Sequence, residues 1–214
     1  MKMKKVIALL LLVLLTLAVL TSCGTEQYPA EEIIAALDEL IPASAELNEI
    51  YFGVGLPIDA NEDELIEMIS GADTDVAPVE YIPVTEDCKY RTETELKEAT
   101  YAVFSKEYAD FLVERGFTGI SSSTVNADGE IEVENAIFAR YIETDGVLTR
   151  RIGTKDEAMK LGREYDLSSA EVVTAKNGYA VVNVPTTVDG TADVDVRIKL
   201  VKTSDGWRLD SPTY

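Results

Sequence analysis

Histidine is missing altogether from the 214 residues. Its absence excludes Ser–His–Asp and Cys–His catalysis, a histidine general base and histidine-ligated metals. Cysteine occurs only at Cys23 and Cys88, which gives no Cys/His metal constellation. Basic residues are scarce: 19 Lys and Arg stand against 39 Asp and Glu, a formal charge of −20. A nucleic-acid binder needs a basic footprint, so that class is excluded. The deficit is uneven. Residues 23–88 contain 17 acidic side chains and no lysine or arginine. There is no phosphate-binding glycine loop and no dinucleotide fingerprint, and Ser121-Ser122-Ser123 follows Gly119 without completing a nucleophile elbow.

Long apolar runs are also rare. One extends from Val6 to Leu20, behind Lys2, Lys4 and Lys5. It falls short of the roughly twenty residues a spanning helix needs, and residues 1–22 read instead as a secretory signal. The run ends in Leu20-Thr21-Ser22-Cys23, which resembles the bacterial lipoprotein box. That resemblance implies a diacylglyceryl thioether on Cys23 as the mature N-terminus, with residues 23–29 as a short tether. Acyl methylenes buried at about 0.8 kcal/mol each hold such a domain on the outer face of the cytoplasmic membrane. Cys88 then has no intrachain partner and reads as a structural thiol. The acidic stretch reads as a solvated surface that is repelled by anionic lipid and wall polymer, or as a docking face for a basic partner.

Ala30–Ile41 has apolar residues at helical spacing with Glu31 and Glu32 in the first turn, and Pro42 is expected to end it. Ser44 begins a second short helix through Leu47, Ile50 and Tyr51, and a third turn is expected through Leu65, Ile66 and Ile69. Thr92 and Glu95 form a capping box, and Ser105 starts a further helix that stops at Gly116. Beyond Gly116 the pattern changes. Asp-Gly and Asn-Gly pairs at 128, 145, 177, 189 and 205 mark hairpin turns between short strands. In Asp193–Val201, Val194, Val196, Ile198 and Leu200 alternate with charged residues, the period of a strand with one wet face. The fold class is therefore α+β, with N-terminal helices packed on an antiparallel sheet. Residues 30–214 read as one domain, and a separate helical subdomain at 29–75 is the alternative.

The closing segment Leu200–Pro212, with its charged turn and Trp207-Arg208-Leu209-Asp210, resembles the last hairpin of NTF2-like and cystatin-like domains. Thr92-Glu93-Thr94-Glu95-Leu96 followed by Phe104-Ser105-Lys106-Glu107-Tyr108 resembles the same group. The resemblance covers about residues 80–214 and extends to secreted inhibitors of peptidoglycan DL-endopeptidases in Gram-positive bacteria. It implies a curved sheet wrapped as a cone around a helix. It further implies a non-catalytic, extracytoplasmic lipoprotein that binds a protein or cell-wall component and modulates a wall hydrolase. The alternative is a small-ligand pocket or carboxylate enzyme inside the cone.

Candidate contact residues follow from chemistry. Trp207, the only tryptophan, closes the core or stacks on a ligand; Tyr141 and Tyr179 are candidates for a concave sheet face. Asp193 and Asp195 share a strand face about 7 Å apart, as an acid pair or a weak cation site would. Asp59, Asn61 and Asp63 alternate like the first ligands of a calcium loop, but Glu64 and Ser70 stand where that loop needs glycine and glutamate. No catalytic residue, metal or cofactor is assigned. The expected partners are the lipid on Cys23 and a basic envelope protein or wall polymer.

Overall fold

The structure is a computed structural model, and it describes residues 26–61, 81–125, 131–152 and 162–214. Helix α1, Ala30–Tyr51, buries Ile33, Leu37, Leu40, Leu47 and Ile50 along one stripe. Pro42 sits inside it and does not end it. Proline removes one hydrogen bond to the preceding turn. The apolar stripe continues in register on both sides, so packing holds the two expected helices as one. The expected turn at Leu65–Ile69 lies outside the described residues.

Helix α2, Glu93–Val103, starts at the Thr92–Glu95 capping box, whose two reciprocal side-chain-to-backbone bonds are both made. Arg91 adds its own backbone N–H at 2.8 Å, and the Arg91 and Thr92 donors together hold the Glu95 carboxyl below the usual range. Phe104 leaves the helix in extended conformation, and Ser105 accepts from the Tyr108 N–H to begin α3, Lys106–Phe117. Replacing Thr92 with alanine is expected to cost about 1 kcal/mol, the ordinary worth of an N-cap, read as a lower urea midpoint at unchanged slope. The helices meet where Gly116 lies flat against the Tyr51 ring. A Cβ there would come within 2.6 Å of Tyr51 Cε1, and the Tyr51 hydroxyl is fixed at 2.9 Å from Thr100 Oγ1.

The strands are β1, Tyr81–Pro83; β2, Ile120–Val125; β3, Ile131–Ile137; β4, Tyr141–Thr144; β5, Val147–Arg151; and β6, Arg163–Tyr165. They continue with β7, Glu171–Lys176; β8, Tyr179–Val184; β9, Thr186–Val188; β10, Thr191–Ala192; β11, Val196–Thr203; and β12, Gly206–Leu209. Among the described residues they form four antiparallel sheets, ordered β12-β11-β8-β7, β1-β5-β4, β10-β9-β6 and β2-β3. The four-stranded sheet turns Ala180, Val182, Val184, Ile198, Leu200 and Leu209 toward the helices, and one buried cluster joins them to α1, α2, α3 and the β4–β5 hairpin.

The NTF2-like or cystatin-like cone expected from the resemblance is not present. The sheets are flat, and none curls or closes. Strand length is the physical reason. Pro185 separates β8 from β9, and residues 138–140 separate β3 from β4, so no described strand runs long enough to wrap a helix. The motifs that carried the resemblance encode a helix cap, a helix restart and a hairpin, which many α+β folds share. What stands is the coarser class: helices packed against antiparallel sheet.

Candidate functional site

Residues 52–58, directly after α1, are anchored from the core outward. After α1, residues 52–57 fold back on the helix end, where Phe52 and Gly53 donate to Asn48 O and Gly55 to Glu49 O. Tyr141, wholly buried on β4, holds this turn from beneath. Its hydroxyl donates to Ile50 O at 2.8 Å and accepts from the Leu56 N–H at 3.0 Å. Burial pushes the phenol's pKa up, so it stays a donor. Arg140 donates to Gly53 O at 2.5 Å and Arg150 donates to Val54 O. Gly55, at φ +84°, has no room for a side chain. A Cβ would meet Arg140 Nη2 and Arg150 Cδ at 2.8 Å.

This anchored turn aligns the next segment. Thr85 donates its N–H to Pro57 O, Val84 donates to Leu148 O, and Ile58 bridges Val84 in antiparallel register. Residues 84–91 thus run as a ridge between two open clefts, with Glu86, Asp87 and Lys89 exposed and Val84 and Cys88 buried, and Thr85 lines both clefts. The first cleft, about 600 Å³, lies between β1 and the β4–β5 turn and is lined by Tyr81, Glu86, Arg91, Asp59 and Asp145, among others. The second, about 580 Å³, lies against the end of α1 and includes Glu46, Glu49, Asp87, Cys88 and Lys89. Cys88 is buried and its thiol faces Tyr90 O at 3.3 Å. Six carboxylates therefore border the ridge, against Arg91 and Lys89. Lys89 is already held by Glu46 at 2.7 Å, which raises its pKa.

The residues singled out in the sequence do not converge here. Tyr141 is the buried support of the turn. Trp207 packs inward against Tyr28, ring centroids 4.9 Å apart, and donates its indole N–H to Glu32 at 2.9 Å. Lys202 Nζ reaches the same carboxylate at 2.6 Å and stands over both rings. Tyr179 is exposed on β8, paired with Lys176 of β7 and Val201 of β11, at the sheet end that also carries Trp207. Asp193 pairs with Arg163 at 2.8 Å, and Asp195 is exposed. Both precede β11, which begins at Val196, so the alternation expected from residue 193 starts three residues later, and Val194 points to solvent. Among the described residues no group of three or more acidic, cysteine or histidine side chains is arranged to hold a metal. Asp59 borders the first cleft, while Asp63, Glu64 and Ser70 lie outside the described residues, as does Cys23. No described helix is long and apolar enough to cross a membrane.

Neither composition nor local spacing marks Glu86, Arg91 or Asp145 as site residues. Only the run without basic residues before Lys89 hinted at an anionic site, and it did not say which acids would meet.

The Glu32 cluster carries a pH prediction. Hydrogen bonds from Lys202 and then Trp207 lower the Glu32 pKa. A carboxyl depressed in the folded state contributes stability above its unfolded value, about 4.5, and that contribution is lost as pH falls through the lower folded value. Trp207 emission is therefore expected to change below about pH 4.5, and Glu32→Gln is expected to remove that step.

No protein-family model matches the chain, and comparison with curated proteins finds no significant relative.

Proposed function

We propose that this chain is a lipid-tethered, extracytoplasmic binding domain whose clefts beside residues 84–91 take a cationic segment of an envelope protein. One observation carries the reading: six carboxylates border the ridge, while one of its two cations is already engaged by Glu46. A lysine or arginine entering either cleft gains charge-assisted hydrogen bonds, whereas an anionic wall polymer is repelled. The basic leader, the apolar run and Cys23 support the tether. The chemistry is recognition, and no side chain is assigned a catalytic role.

The test is capture from solubilised envelope with the full chain at low and high salt. A basic protein recovered at low salt and lost at high salt is expected, because exposed charge pairs are screened within about 10 Å at 0.1 M. Reversing Glu86 and Asp145 to lysine is expected to abolish that capture. Recovery indifferent to both salt and reversal would overturn the reading.

A further inference from the structure

The first described residues are fixed to one end of the four-stranded sheet. Asn177 donates to Glu26 O at 2.8 Å, Tyr28 donates to Ala175 O at 3.0 Å, and Gln27 bridges Lys176. Lys202 donates its N–H to Gly178 O, which ties the neighbouring strand to the same β7–β8 turn. Only Gly24 and Thr25 separate Glu26 from Cys23. Three residue steps span at most about 10 Å, whatever their conformation. A headgroup layer is itself roughly 5–8 Å deep. A lipid on Cys23 therefore leaves no freely projecting stalk, and the β7–β8 turn is drawn down to the bilayer.

We infer that this sheet end, with Tyr28, Tyr179, Lys176 and Lys202, seats on the lipid headgroups and that the clefts are held away from them; the inference rests on the lipid-tether reading above. The side chains suit an interface. Tyr179 and Lys176 are exposed, Tyr28 is partly so, and tyrosine and lysine both place an apolar body in the headgroup layer with a polar tip in water. Glu26, Glu32 and Asp205 of the neighbouring β11–β12 turn exceed the two lysines by one charge, so the surface depends on the acyl anchor for its affinity. The rest of the molecule then has one way to point. Helix α1 leaves this end at Ala30, and its 22 residues carry the chain about 33 Å to the turn that builds the clefts. Laying α1 flat on its solvent face would press Glu31, Asp38 and Glu39 onto lipid, and the helix has no basic residue to offset them. The tether thus presents the clefts to the aqueous side, where a partner reaches them without touching the bilayer.

The experiment uses the full lipidated chain in vesicles containing phosphatidylglycerol. A donor dye is attached at Lys176→Cys or Glu86→Cys in a Cys88→Ser background, with an acceptor on the lipid headgroups. Energy transfer is expected to be severalfold stronger from position 176 than from position 86. Equal or reversed transfer in vesicles that carry the protein on flotation overturns the orientation and leaves the tether standing. Failure of the unsubstituted chain to float overturns the tether and the orientation with it. The unlabelled chain gives a second reading: Trp207 lies at the seated end, so headgroup-quencher lipids are expected to dim its emission. Unquenched Trp207 in floated vesicles also overturns the orientation.

Discussion

Replacing Tyr141 with phenylalanine lowers the unfolding free energy by about 2–4 kcal/mol, because two buried backbone groups lose their partner at once. The Tyr141 hydroxyl is a relay: it donates to Ile50 O and accepts from the Leu56 N–H. Phenylalanine keeps the ring's packing beside Phe117, so the loss isolates the hydroxyl. The effect also reaches the clefts. With Leu56 released, Pro57 no longer presents its carbonyl to Thr85 at a fixed place, and the ridge loses its register. Two measurements check this. Urea unfolding reports the stability loss, and amide exchange at Leu56 and Thr85 is expected to accelerate more than exchange in the four-stranded sheet, where the bonds are remote. Equal acceleration everywhere would mean that the hydroxyl supports the whole fold and not the turn in particular.

Replacing Gly55 with alanine has the second large effect, about 3 kcal/mol or more. Its backbone lies at φ +84°, where an L-residue is strained. Space adds to the cost. The new Cβ would stand 2.8 Å from Arg140 Nη2 and Arg150 Cδ and 2.9 Å from the Tyr141 hydroxyl. To clear it, the side chains that grip Gly53 O and Val54 O have to move. The cost is therefore expected to overlap with that of Tyr141→Phe. A double-mutant cycle tests the overlap: the pair is expected to cost less than the two single changes added, since either one alone already loosens the turn. Strict additivity would separate the glycine's strain from the tyrosine's relay.

How much could be read from the chain alone differs from element to element. Thr92, Glu95 and Ser105 announced their helix starts because a cap is local chemistry, decided within four residues. The positions of Asn177 and Asp189 were legible for the same reason: both take positive φ in turns ahead of glycine. Pro42 misled, since its local cost is real and only the apolar stripe on both sides outweighs it. The cone failed on the other side of that divide. Short motifs state how strands begin and turn, but curvature depends on how far strands run and which ones pair.

Local chemistry settles what is additive along a chain: the charge, the missing histidine, the helix caps, the described hairpin turns and the two-residue period of the last strands. Tertiary structure alone decided that Trp207 closes on Glu32 and Lys202, that Tyr141 serves as a buried relay, and that Asp59, Glu86 and Asp145 border one cleft. These groups lie tens of residues apart, and packing between elements fixes their distances where no local spacing can. The seat of the chain's first described residues on the β7–β8 turn belongs to the same class, because a backbone pairing between Gln27 and Lys176 exists only once the sheet has formed.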